Sequence, residues 1–247
     1  MIKQQLLSTG LALLLASSLP FTALANTTDT TVSIRDGGDH TIGSIDYTNT
    51  NYALDIHGDG TNVTVDGNVK SDNGYGITAG DNSTTTVKGD LSANRVAINA
   101  GGEAEVTIDG DVRGTGSTSN TIEVGGKTDI TVKGDVIAED TSAIRTDQEA
   151  NVTVDGSIKA GNGGISAWGM VKMVGGNVSS GGTGVYAAVF DDIKDKDIKN
   201  NILIGGDVNV TTKDGHYDYM GVGAYNNSTI NIVGTVTVKD DAGKDPW

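Results

Sequence analysis

The sequence predicts an all-β protein, a single-stranded parallel β-helix (β-solenoid) of about eight to nine coils of roughly 20–24 residues. Three observations carry that expectation. One seven-residue motif recurs along most of the chain, it alternates with period two, and a second apolar element precedes it at a fixed distance.

The motif reads VTVDGNV at 63–69, TTVKGDL at 85–91, VTIDGDV at 106–112, ITVKGDV at 130–136 and VTVDGSI at 152–158. Looser copies end in GNV at 176–178, GDV at 206–208 and GTV at 234–236. The anchor glycines Gly67, Gly89, Gly110, Gly134, Gly156, Gly176, Gly206 and Gly234 stand 22, 21, 24, 22, 20, 30 and 28 residues apart. Repeats of this period mark solenoids, whose coils bury an inner face only by stacking. Within a motif Val63, Val65 and Val69 fall on one face and Thr64, Asp66 and Asn68 on the other, as in a half-buried strand. The central Asp-Gly reads as a bend between two strand pieces, because the inward pattern continues through it.

The second element is small–Ile–x–Ala, as in Gly76-Ile77-Thr78-Ala79, Ala97-Ile98-Asn99-Ala100 and Gly164-Ile165-Ser166-Ala167. Ile77 to Val87, Ile98 to Ile108, Ile122 to Val132 and Ile144 to Val154 are each ten residues. One corner of the coil is therefore fixed, and length variation collects in another. An antiparallel sandwich has similarly frequent turns, but it does not require equivalent positions to keep one chemistry over five successive units.

Before the repeats, Lys3, the apolar run Leu11–Leu15 and the small-x-small signal Ala23-Leu24-Ala25 read as a secretory signal peptide over 1–25. Its apolar run is too short for a membrane span. Residues 26–247 are then one β-helix domain, and loss of Lys3 takes the net charge from −15 to −16. The exported chain is expected at the cell surface or outer membrane, in the medium, or in the periplasm where no translocator exists. No direct membrane insertion of the mature chain is expected.

Composition narrows the classes further. Glycine is 36 of 247 residues without period three, and proline only 2, which excludes collagen. The absence of cysteine excludes a disulfide scaffold and Cys-ligated zinc or iron–sulfur centres. Strong acidity argues against nucleic-acid or anionic-lipid partners. Only 4% of residues are aromatic, so small aliphatic ladders must fill the core.

Stacked coils allow columns to be read directly. Asp66, Lys88, Asp109, Lys133 and Asp155 alternate in sign, a structural ladder that opposes register slip. Thr64, Thr86, Thr107, Thr131 and Thr153 form a neighbouring column. Ice-binding solenoids use two parallel threonine columns; here the second is charged, so the column reads as an ordinary solvated sheet. After the anchor glycine, Asp90, Asp111 and Asp135 stack three carboxylates, the candidate metal site, which a hard cation such as Ca2+ could relieve. Asn and Asp at corners more commonly bond their own backbone, and no G-G-x-G-x-D calcium repeat is present. No other cofactor is expected.

Catalytic parts are few. His40, His57 and His216 show no metal-ligand spacing, and neither a G-x-S-x-G elbow nor a cysteine nucleophile occurs. Gly161-Asn162-Gly163-Gly164 belongs to a repeat turn rather than a phosphate loop. The enzyme alternative is a polysaccharide lyase or hydrolase using clustered carboxylates, for which Asp90, Asp111 and Arg113 could be cast. No catalytic residue is assigned. Two loops interrupt the regular coils, at 188–200 and 212–219. The first expands the usual ten-residue step to 19 between Val185 and Ile204 and brings in Phe190, Asp191, Asp192, Lys194 and Lys196. The second carries His216, Tyr217 and Tyr219. Loops on a rigid scaffold are where binding concentrates, so these are the candidate contact residues.

The leader, the cysteine-free mature chain and the repeated [VI]-T-[VI]-x-G-[DN]-[VI] coils resemble the passenger domains of adhesin-type, pertactin-like autotransporters of Gram-negative bacteria. The resemblance spans roughly residues 30–240. It implies a right-handed parallel β-helix displayed at the cell surface and acting in adhesion or self-association. A cell-surface or matrix ligand, a glycan or another copy of the chain would be its partner. Such passengers continue into a C-terminal outer-membrane β-barrel translocator, and no run of ten-residue alternating strands occurs before Trp247. An adhesin-like passenger or a fragment of one is therefore expected, with a β-barrel translocator as partner if the chain is a fragment. The protease subgroup's G-D-S-G motif is absent, which favours an adhesin. A cleft lined by two carboxylates and a base within about 10 Å would favour the enzyme instead.

Overall fold

The computed structural model describes residues 22–23, 26–147, 149–168, 171–188, 200–212, 220–226 and 228–240. Among them every element is a strand, and the strands form three parallel sheets of ten, ten and nine members. No helix is long and apolar enough to cross a membrane. The chain visits the sheets in rotation. In the third coil, for example, Asn62–Val65 lies in sheet A, Val69–Ser71 in sheet B and Tyr75–Ala79 in sheet C. Each pairs in parallel with its equivalents one coil before and after, as with Val63↔Thr85 and Ile77↔Ile98. This is the expected β-solenoid. Two rungs precede the first recognised repeat, and the sheet A strand of the earlier one is Thr22–Ala23, inside the segment read as a leader.

The core is a column of small aliphatic side chains. Val63, Val65 and Val69 are 2%, 0% and 1% exposed, and Ile77, Ile98, Ile122 and Ile144 are fully buried in register. Burying each such isoleucine contributes about 1.5–3 kcal/mol. The sheet A column that holds Val63, Val106, Ile130 and Val152 also admits Thr85, which is fully buried.

Three corners close each coil, and each has its own logic. Between sheets C and A, Asp81 and Asn82 take φ of 53° and 57°, and the Ser83 N–H donates to the Gly80 carbonyl at 3.2 Å. One coil on, Gly102 and Glu103 repeat this with φ of 62° and 67°. In these two coils a left-handed two-residue turn closes the ten-residue step seen in the sequence, and in the next coil Gly126 alone is left-handed, at φ 68°. Between sheets B and C stands a small-residue column, where a Cβ on Gly76 would lie 2.4 Å from the Ala97 carbonyl oxygen.

Between A and B the chain takes four residues from Val65 to Val69 but three from Ile42 to Ile45 and from Gly175 to Val178. Gly175 pairs with Ile204, so the position before the anchor glycine is the one omitted. The alternating charge column from Asp66 to Asp155 is therefore bounded at both ends by coils that skip its position.

Candidate functional site

The loop residues expected to bind, Phe190, Asp191, Asp192, Lys194, Lys196, His216, Tyr217 and Tyr219, lie outside the described residues. Their chain neighbours are placed. Segment 189–199 follows Val185–Ala188, and 213–219 comes just before Val222–Ala224, so both adjoin strands of sheet C.

The charge column resolves into pairs. Lys88 Nζ meets Asp66 Oδ1 at 2.6 Å and Lys133 Nζ meets Asp109 Oδ1 at 2.6 Å, each lysine reaching one coil back. The Asp66 hydrogen bond raises the Lys88 pKa above its ordinary value. Asp155, last in the column, has no ion pair among the described residues. Both lysines are more than half exposed, so each pair contributes at most about 1 kcal/mol.

Asp90, Asp111 and Asp135 do stack, and each commits one oxygen to the backbone of the next coil. Asp90 Oδ1 accepts the Asp111 N–H at 2.9 Å, Asp111 Oδ1 accepts the Asp135 N–H at 2.8 Å, and Asp135 Oδ1 accepts the Ser157 N–H at 2.8 Å. Asn68 opens the same series on Asp90, and Asn177 and Asp207 resume it further along. Asp135 Oδ2 holds Lys159 Nζ at 2.8 Å, and that bond, with the Ser157 amide, draws the Asp135 pKa below the ordinary carboxylate value. No group of three or more His, Asp or Glu that could hold a metal is found among the described residues. Arg113, cast beside Asp90 and Asp111 in the enzyme alternative, is paired with Glu139 instead.

The features that sequence reasoning missed lie on the outer face of sheet C. Tyr186 follows the inward Val185, Trp168 stands three residues after Ile165, and Tyr225 three after Val222. Tyr186 is in register with Ser166 and Gly223, so its ring lies diagonal to both other aromatics. Ring centroids are 5.0 Å apart for Trp168–Tyr186 and 5.5 Å for Tyr186–Tyr225. Small neighbours make this zigzag possible. Ala188 stands between Trp168 and Tyr225 in one column, and a Cβ on Gly223 would meet Tyr225 Cε2 at 3.1 Å and Met220 Cε at 3.2 Å. Trp168 Nε1 donates to Ser166 Oγ at 2.8 Å, which fixes the indole. Beside the first two rings lies a recess of about 350 Å3 lined by Ser142, Asn162, Thr183 and Met220 among others. The signal was available in the sequence: aligning ISAW, VYAA and VGAY on their inward residues puts the three rings in adjoining coils.

Near the other end of sheet C a second recess, of about 680 Å3, is lined by Asp29, Arg35, Tyr52, Asp55 and His57 among others. Here the polar groups answer one another. Asp55 Oδ2 accepts from Ser33 Oγ at 3.1 Å and from Arg35, and Asp55 Oδ1 meets His57 Nε2 at 3.1 Å. His57 Nδ1 faces Asp81 Oδ2 at 3.3 Å. Tyr52 and Tyr75 stack at 4.9 Å, with the Arg95 guanidinium 5.3 Å from the Tyr75 ring centre.

Comparison with known protein families, curated proteins and solved structures finds no match to this chain.

Proposed function

We propose that the chain is an exported, adhesin-like β-helix that acts without catalysis, in attachment to a cell-surface or matrix ligand or a glycan, or in self-association. It would serve as a passenger of the pertactin-like autotransporter kind, with a β-barrel translocator as its export partner. One observation carries the reading: every ring–ring contact among the described residues lies along sheet C, so one side of the rod gathers the side chains best suited to contact. The two interrupting loops adjoin the same sheet in sequence. The leader supports export to the surface, outer membrane or medium.

Expression of the full chain in a Gram-negative host tests export. A product beginning at Asn26 outside the inner membrane is expected, and an uncleaved cytoplasmic chain would overturn it. Attachment is then measured on cultured epithelial cells and matrix-coated plates, where saturable retention is expected and none would refute the adhesin reading. Attachment that survives deletion of 188–200 and 212–219 would remove the loops from the contact surface.

A second reading, a carbohydrate-active β-helix enzyme, is favoured by the recess that brings Asp29, Asp55 and His57 together. Against it, both Asp55 oxygens and both His57 nitrogens already face partners within the fold. Release of reducing ends or unsaturated uronides from a polysaccharide panel, abolished by Asp55→Asn, would establish the enzyme.

A further inference from the structure

We propose that the recess beside Trp168 and Tyr186 is a binding site for a neutral glycan, an inference that rests on the attachment reading and names its ligand class. None of the described residues lining the recess is charged, in a chain of 32 acidic and 17 basic residues with net charge −15. The nearest charges in register, Arg145 beside Ser166 and Asp147 beside Trp168, face each other at 3.6 Å. Nothing in the wall formed by the described residues would balance a carboxylate, sulfate or phosphate, and the acidic chain repels one. What the wall offers is the pair of chemistries a pyranose presents. Trp168 and Tyr186 supply apolar ring surface for its C–H face. Trp168 has its N–H satisfied by Ser166, so its ring acts as a fixed plate rather than as a donor.

Polar groups then match the hydroxyls. The Asn162 side-chain amide and the Thr183 hydroxyl have no partner among the described residues. Ser142 Oγ accepts the Gly163 N–H at 3.3 Å and keeps its own proton to donate. A volume of about 350 Å3 is within the range of small-ligand sites. The rings are carried on sheet strands, which hold them more rigidly than loops would.

The chain contains two tryptophans, Trp168 and Trp247. Trp247→Phe in the full chain therefore leaves Trp168 emission as a reporter inside the site. That protein is titrated with cellohexaose, maltohexaose, mannohexaose and N-acetylchitohexaose, and with hexagalacturonate and sialyllactose as acidic counterparts. A saturable emission change with at least one neutral probe, and none with the acidic ones, is expected. Calorimetry on the same pair should show affinity about tenfold weaker in Tyr186→Ala and retained in Tyr186→Phe. Asn162→Ala, at an exposed position that leaves the fold intact, should weaken binding as well. Thr64→Ala on sheet A should not. No saturable change with any neutral probe overturns the site, as does equal binding by Tyr186→Ala and Asn162→Ala, or preference for an acidic probe. Cell attachment by the same variants separates the two readings. Attachment without binding of any neutral glycan sinks the glycan site and spares the adhesin, whereas glycan binding without attachment does the reverse.

Discussion

The carboxylate of Asp111 accepts the backbone N–H of Asp135 at 2.8 Å, one full coil away. This bond explains why the motif ends in Gly-Asp or Gly-Asn. The acceptor oxygen lies over the next coil's anchor glycine, where a Cβ on Gly134 would come within 2.3 Å of it. Glycine is required there for close approach, since the anchor glycines do not adopt positive φ.

Gly110→Ala should therefore be costly. Its Cβ would meet Asp90 Oδ1 at 2.2 Å and the Gly89 carbonyl oxygen at 2.8 Å, and a backbone atom cannot swing aside. Thermal unfolding should show a loss of about 2–3 kcal/mol. Gly125→Ala is the matched control, with nothing within 4 Å and no positive φ, and should stabilise by about 0.5 kcal/mol. Equal effects at the two positions would refute the close-approach explanation.

Asp111→Asn keeps an oxygen that can accept the Asp135 N–H, as Asn68 and Asn177 do naturally in the same column. Asp111→Ala leaves that N–H without its acceptor and should cost about 1–2 kcal/mol more than the Asn variant. Denaturant unfolding of the pair measures the difference. Indistinguishable stabilities would show that the stacked carboxylates do not act through this bond.

Acid should weaken the fold partly through Asp135. Its pKa is lowered by Lys159 and by the Ser157 amide, so its contribution is present above the unfolded carboxylate value of about 3.9 and lost as pH falls through the lower folded value. Asp135→Asn should lose less melting temperature between pH 6 and pH 3 than the parent chain. An identical loss in both would remove Asp135 from the acid response.

Thr85 occupies a valine position of the core, fully buried, and its hydroxyl finds no partner there. Thr85→Val matches the shape and should stabilise by about 1 kcal/mol in thermal unfolding. A destabilised variant would mean that the hydroxyl is satisfied in solution.

The repeat arithmetic alone determined the solenoid, its inward ladder and its fixed corner, because each depends on local periodicity that every coil repeats. Val63, Val65 and Val69 could be assigned inward from three alternating residues, and the ten-residue step already implied the tight turn at Gly80–Ser83. The tertiary structure decided what depends on register between coils. It turned the alternating charges into separate pairs, Lys88 with Asp66 and Lys133 with Asp109. It committed one oxygen each of Asp90, Asp111 and Asp135 to the backbone of the following coil. It also brought together Trp168, Tyr186 and Tyr225, separated in the chain by 18 and 39 residues. In a parallel stack a side chain's neighbours are about 4.8 Å away in space but a whole coil away in sequence. Coils of unequal length conceal those neighbours until the strands are paired.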